Sequence, residues 1–159
     1  MSGMALVVSR QDSGARAVAL GPHRTIVFSA TVEAMSRASE DVRSFLASCA
    51  VDAAATHAVD VAFEELVGNV VRYAYDERHR GRIDVELLVL PERLRLTVTD
   101  DGKPFDPTHF PVADRPRSIA EAKLGGRGIS MVRKVVADWS YRRNARRNWN
   151  VVEIARASA

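Results

Sequence analysis

Two periodicities divide this chain. Val59, Ala62, Phe63, Leu66, Val67 and Val70 recur at the three-and-four spacing of a helix with one buried stripe. Ile83, Val85, Leu87 and Val89, then Leu94, Leu96 and Val98, alternate with the period of strands buried on one face. Asp52 is a good N-cap, so a helix is predicted from about Asp52 to Tyr75. Pro91-Glu92 predicts a tight turn that joins the two strands as a hairpin. Upstream, Arg24 to Ser29 reads as a short strand and Glu33 to about Ala50 as a helix rich in alanine and arginine. Asp100 to Lys123 holds four prolines and little periodicity, which predicts a long loop of the kind that usually carries function. A third helix is predicted from about Gly128 to Ala137, and Trp139 to Arg143 with Asn150 to Ile154 as a second hairpin. Residues 1–22, small and polar with Gly14 and Gly21-Pro22 as breakers, read as a flexible leader to one domain at 23–159. This order predicts an α+β fold: a two-layer sandwich whose mixed, mostly antiparallel sheet carries helices on one face.

The bulk properties narrow the function classes. A chain of 159 residues suits one compact domain, and 47% hydrophobic with 27% charged residues excludes a disordered or fibrous class. Cys49 is the only cysteine, which excludes an internal disulfide and CxxC zinc sites, and its alanine- and leucine-rich setting marks a packing residue. No window reaches the roughly 18 apolar residues of a membrane span. No signal-peptide pattern opens the chain, so a cytoplasmic location without membrane contact is expected. The formal charge of +3 is a mild bias. Arg142, Arg143, Arg146 and Arg147 bunch together, which reads first as a solvated hairpin and second as a surface for nucleic acid or an acidic partner. His57 reads as a helix-surface residue, and His23, His79 and His109 lack the spacing of metal ligands.

Three segments carry candidate chemistry. Glu65 and Asn69 lie four apart on the second helix, about 40° apart around its axis, so a carboxylate and a carboxamide emerge together at the border of the buried stripe. Such a pair can polarise a water or hydroxyl and offer an oxygen to a hard cation; a plain helix-surface hydrogen bond is the alternative. Gly68 between them weakens the helix and suggests close approach to the backbone there. Asp100-Asp101-Gly102-Lys103-Pro104-Phe105-Asp106-Pro107 follows a strand directly. It is either a simple turn or a carboxylate acceptor, suited to an exocyclic amine, beside a covering loop. Gly125-Gly126-Arg127-Gly128 leads into Ile129 and the third helix, where glycines allow close ligand approach and the helix start offers free N–H groups to an anion. It is neither a P-loop nor a Rossmann fingerprint.

In order and combination these segments resemble the GHKL (Bergerat-fold) ATPase/kinase superfamily, and most closely the bacterial anti-sigma-factor serine/threonine kinase family. Glu65-Leu66-Val67-Gly68-Asn69 looks like the N box, Asp100 to Pro107 like the first glycine box, and Gly125 to Ile129 like the second. The resemblance covers about Thr25 to Ile154. It implies Glu65 as the general base acting on a serine hydroxyl, Asn69 as the Mg2+ ligand, Asp100 as the acceptor of the adenine amine and Gly102 as the residue giving the base room. It also implies Gly125, Gly126 and Gly128 around the phosphates, within a lid drawn from Phe105 to Lys123. The nucleotide-contacting set it implies is Asn69, Asp100, Gly102, Phe105, Gly125, Gly126, Arg127, Gly128, Ile129 and Asn150. Departures from the pattern are Tyr73 where many relatives carry histidine, Gly68 for threonine, and Asn150 for a phosphate-contacting threonine in the last strand.

The activity so implied is ATP- and Mg2+-dependent phosphorylation of a serine on an anti-anti-sigma (STAS-domain) protein by a homodimeric, sigma-factor-binding kinase. An ATP-gated binding module without phosphotransfer is a second reading, and direct nucleic-acid binding through the arginine hairpin a third, ranked below both because the motif-bearing part of the chain is not especially basic.

Overall fold

A computed structural model of the chain describes residues 3–6, 19–76, 81–111 and 126–157. Six strands form one sheet: β1 (Gly3–Leu6), β2 (Ala19–Ser29), β3 (Arg82–Val89), β4 (Arg93–Asp100), β5 (Asp138–Asn144) and β6 (Arg147–Ala155), in the spatial order β1-β2-β3-β4-β6-β5. Every described pairing is antiparallel, so the sheet is of one kind where a mixed, mostly antiparallel one was expected. Among the described residues, three helices pack on one face: α1 (Val32–Ser48), α2 (Ala53–Tyr73) and α3 (Gly126–Val135). The fold is therefore the two-layer α+β sandwich.

Alternation along the strands decides the layering. Ile83, Val85, Leu87, Val89, Leu94, Leu96 and Val98 are buried and join Val152 and Ile154 beneath the helices. Arg82, Glu86, Arg93 and Arg95, which alternate with them, face away and are exposed. The stripe of α2 supplies the opposing surface, with Val59, Ala62, Phe63 and Val67 almost fully enclosed.

Local chemistry sets the ends of the elements. Thr31 caps α1 by accepting from Ala34 N at 3.2 Å, and Asp52 caps α2 by accepting from Ala55 N at 2.9 Å. The second oxygen of Asp52 accepts from Ala157 N at 3.1 Å, tying the chain end to the start of α2. The link between α1 and α2 turns through Ala50 at φ 49°, and the β5–β6 turn through Ala145 at φ 51°, both in the region that favours glycine.

Several boundaries differ from expectation. α2 stops at Tyr73 rather than Tyr75, because the Tyr75 hydroxyl turns away to donate to Asp101 Oδ1 at 2.6 Å. α3 begins at Gly126 and ends at Val135, since Ala137 N already donates to Glu153 O at 2.7 Å and leads into β5. Within the stretch read as a leader, Gly3–Leu6 pairs with β2 by backbone hydrogen bonds, which need no side-chain period to announce them. Gly21-Pro22 does not break the chain but lies inside β2. A Cβ at Gly21 would run into the Val89 carbonyl, so glycine there permits close approach to β3.

The enclosure of Phe63, 1% exposed at the centre of α2, makes it the core position with most to lose. Phe63→Ala is expected to lower unfolding free energy by about 3–5 kcal/mol, read from urea denaturation, against well under 1 kcal/mol for a substitution at the exposed Glu64.

Candidate functional site

The site lies where α2 crosses the ends of the central strands. A cavity of about 340 Å³ opens there. Its walls include Asn69 and Tyr73 of α2, Asp100 at the end of β4, Phe105 and Phe110 of the following loop, and Asn148 and Asn150 of β6. Four residues singled out from sequence, Asn69, Asp100, Phe105 and Asn150, thus share one hollow although they come from distant parts of the chain. Asn69, Asp100 and Asn150 are each more than nine-tenths buried, so they offer polar groups to the cavity from an otherwise apolar surround.

Asp100 is 1% exposed, and burying a carboxylate costs several kcal/mol unless other groups compensate. Two donors reach its Oδ1: Gly102 N at 2.9 Å and Asn148 Nδ2 at 2.8 Å. Burial pushes the Asp100 carboxyl above its ordinary range; these two hydrogen bonds act against that, nearby Asp101 adds to it, and Arg143 opposes it.

Asn148 stands directly opposite Asp100 in the β4–β6 register. Its Nδ2 donates to Asp100 Oδ1 and, at 3.1 Å, to Lys103 O. Its Oδ1 accepts from Arg143 Nη1 at 2.6 Å and from the Tyr141 hydroxyl at 2.8 Å. All four hydrogen-bonding capacities of the amide are used, so its orientation has one solution. Arg143 also donates to Gly102 O at 3.1 Å, which fixes the turn after Asp100.

Asn150, two residues on, is oriented by an indole: Trp139 Nε1 donates to its Oδ1 at 3.3 Å. An indole N–H only donates, so the amide oxygen must face Trp139.

Glu65 is half-buried, one turn before Asn69, and its carboxylate lies against Gly128 in the first turn of α3. Burial raises its pKa above the ordinary glutamate range; Arg72 acts in the opposite direction and Glu64 adds to the rise. The approach to the backbone anticipated at Gly68 is made by the Arg72 side chain, whose Nη2 leaves no room for a Cβ at 2.6 Å. Gly102 is not in the cavity wall: a Cβ there would meet Ala74 Cβ at 2.5 Å and Ala74 O at 2.8 Å, so glycine lets this turn pack on the end of α2.

The glycine-rich segment is only partly described. Gly125 lies outside the described residues, as do residues 112–123 of the expected lid. Gly126 opens α3, Arg127 is exposed, and Ile129 is 1% exposed and outside the cavity wall. The front of the loop is pinned. Arg133 Nη2 of α3 donates to the carbonyls of Pro107 at 3.2 Å, Thr108 at 3.1 Å and Phe110 at 2.8 Å, and Phe105 meets Phe110 edge to face at 5.7 Å. Asp106 closes the turn by accepting from Thr108 N at 2.9 Å.

Of the arginine cluster, Arg143 belongs to the site network. Arg142 and Arg147 flank Trp149 on the opposite face of the sheet at 5.2 and 5.9 Å, and Arg147 pairs with Asp84. Asn148, Tyr141, Arg143 and Arg133 were not anticipated. A signal for Asn148 was present: with Asn150, Val152 and Ile154 it keeps the two-residue period, so starting the strand earlier would have turned it inward.

Comparison with known proteins gives a consistent picture. The family described as the Histidine kinase-like ATPase domain matches residues 28–155. The serine/threonine-protein kinase BtrW of Bordetella bronchiseptica is 29% identical over 96 residues, which span 60% of this chain and 66% of that protein. The crystal structure of the RsbU and RsbW domains of Rv1364c from Mycobacterium tuberculosis superimposes with a TM-score of 0.62 at 19% identity, over 87% of this chain and 34% of that one. The chain thus spans just under two thirds of the curated relative and about a third of the solved structure.

Replacing Asn148 tests the carboxylate's anchorage. Asn148→Ala removes one of two donors to a buried carboxylate and is expected to cost about 1–3 kcal/mol in urea denaturation. Tyr141→Phe, which removes one donor to Asn148 Oδ1, is expected to cost about 1 kcal/mol.

Proposed function

Because this chain belongs to the histidine kinase-like ATPase domain family, ATP is the ligand its membership implies, and we propose that it is a serine/threonine protein kinase of the anti-sigma-factor type. In this reading it binds a sigma factor and transfers the γ-phosphoryl group of ATP to a serine on an anti-anti-sigma STAS-domain protein. The observation that carries the proposal is the shared cavity: a buried acceptor, Asp100, and a buried carboxamide, Asn69, line it, with the Glu65 carboxylate one helical turn away against the start of α3. The kinase name of the Bordetella relative supports the same direction.

The residues divide the work. Asp100 accepts the exocyclic amine of adenine, its Oδ1 already held by Gly102 and Asn148. Val70, Ala74, Pro104, Phe105 and Phe110 give the base apolar walls. Asn69 offers one amide oxygen to Mg2+. One protein oxygen is enough for Mg2+, which keeps several waters and is held mainly by substrate phosphates. Gly126, Arg127 and Gly128 surround the phosphates at the start of α3, where N–H groups and the helix dipole favour negative charge, with Ile129 packing behind them; Gly125, outside the described residues, is part of the same proposed phosphate-contacting set. Asn150 completes the nucleotide-contacting set.

Glu65 accepts the serine proton. Its raised pKa makes it a stronger base than an ordinary glutamate and is the kind of adjustment such a role requires. Phosphoryl transfer otherwise asks chiefly for positioning and charge neutralisation. Among the described residues no helix is long and apolar enough to cross a membrane, and a cytoplasmic site of action is part of the proposal. So is pairing with a second copy through the face of β2 and α1, where Val27 and Val32 are exposed.

The deciding experiment mixes the protein with Mg-ATP and a STAS-domain partner and follows phosphoserine by mass spectrometry. Normal ATP binding with no transfer to any such partner would remove the kinase assignment. Glu65→Ala is expected to lower transfer by about 10²–10⁴-fold while ADP affinity, measured by calorimetry, stays within about threefold. The wild-type rate should fall as pH drops through a Glu65 pKa above the ordinary glutamate value, because only the ionised carboxylate can accept the proton.

A further inference from the structure

Gly128 presents a puzzle if backbone freedom is its purpose. It lies within α3 and its φ is not in the left-handed region, so alanine could adopt the same backbone. Glycine also weakens a helix relative to alanine. The surroundings supply the reason. A Cβ built on Gly128 would overlap Cδ and both oxygens of the Glu65 carboxylate, which occupies the volume directly over the Gly128 Cα. Gly81 and Gly102 also come near an aspartate oxygen but meet the Tyr75 ring and Ala74 first; Gly21 meets backbone and Gly68 a guanidinium, so of the glycines whose neighbours are described Gly128 alone meets a carboxylate before anything else.

We propose that Gly128 is, besides its place in the phosphate-binding turn, a positioning residue for Glu65: the absent side chain, rather than conformational freedom, lets the carboxylate rest against the first turn of α3. Glu65 stands on α2, so this contact brings its carboxylate across to the first turn of α3. A larger residue at 128 drives the carboxylate away from the turn, and a base displaced by about 1 Å loses much of its effect. The catalytic half of the inference rests on reading Glu65 as the general base; the steric half does not.

The test is a double-mutant cycle on the full chain, with thermal unfolding as one readout and phosphotransfer as the other. Gly128→Ala is expected to raise Tm less in the wild-type background, where the carboxylate must move aside, than in the Glu65→Ala background, where the added methyl meets no carboxylate and alanine favours the helix. In transfer, Gly128→Ala is expected to lower kcat by about tenfold or more. Glu65→Asp, one methylene shorter, should make the further loss from Gly128→Ala at least about threefold smaller than in wild type.

If Gly128→Ala raises Tm equally in both backgrounds, or if both alanine variants at 128 fail to fold, the steric account is overturned. Failure of Gly128→Ala to fold, relieved by Glu65→Ala, supports it. Should the wild-type protein transfer no phosphate, the kinase reading fails, while the difference between the Tm shifts in the two backgrounds still decides whether Gly128 makes room for the carboxylate. If the Tm shifts differ between the backgrounds but the kinetic losses simply multiply, the contact exists without setting the base, and the positioning role is overturned.

Discussion

A carboxylate buried at the end of a central strand must be matched by donors held in place, and much of this site follows from meeting that demand at Asp100. The compensation is layered. Asn148 is aligned by β4–β6 register, its amide is fixed by Tyr141 and Arg143, and Arg143 in turn holds the Gly102 carbonyl. The last hairpin is therefore part of the site rather than a closing edge, and its turn sequence is constrained by a residue on another strand. Loss of any one of these partners leaves the others with unmet polar groups in a water-poor setting, where each counts for more than at a surface.

The architecture was legible because burial on one face writes a two-residue period into strands and a three-and-four period into helices. β3 follows this rule throughout, β4 as far as Val98 and α2 as far as Val67, and they position Glu65, Asn69 and Asp100. Elements that depend on backbone pairing alone were harder to see. Gly3–Leu6 joins the sheet edge with no pattern to announce it, and β2 passes through a Gly-Pro pair that ordinarily interrupts a strand. Polar residues on the buried face were misleading too: Asn148 faces inward, yet asparagine near a turn resembles a loop residue until its partner across the sheet is known.

The glycines teach a related lesson. The close approach expected at Gly68 is made by the Arg72 side chain, and Gly102, to which the resemblance gave room for a base, packs on the end of α2. A glycine records that something is close without saying what. The same holds for the arginines near the chain end, which as a cluster resembled a basic patch. One braces the cavity floor, two enclose an indole on the far face, and one of those two is paired with an aspartate.

The two tryptophans lie on opposite faces of the sheet. Trp139 shares the inner face with its cross-strand neighbour Val152 and donates to a cavity amide, while Trp149 sits outside beneath two guanidinium groups. The molecule thereby contains two natural fluorophores with separate audiences. With one ring replaced by phenylalanine, the emission of the other becomes a private channel: indoors it follows the hollow, outdoors the ionic weather of the open sheet.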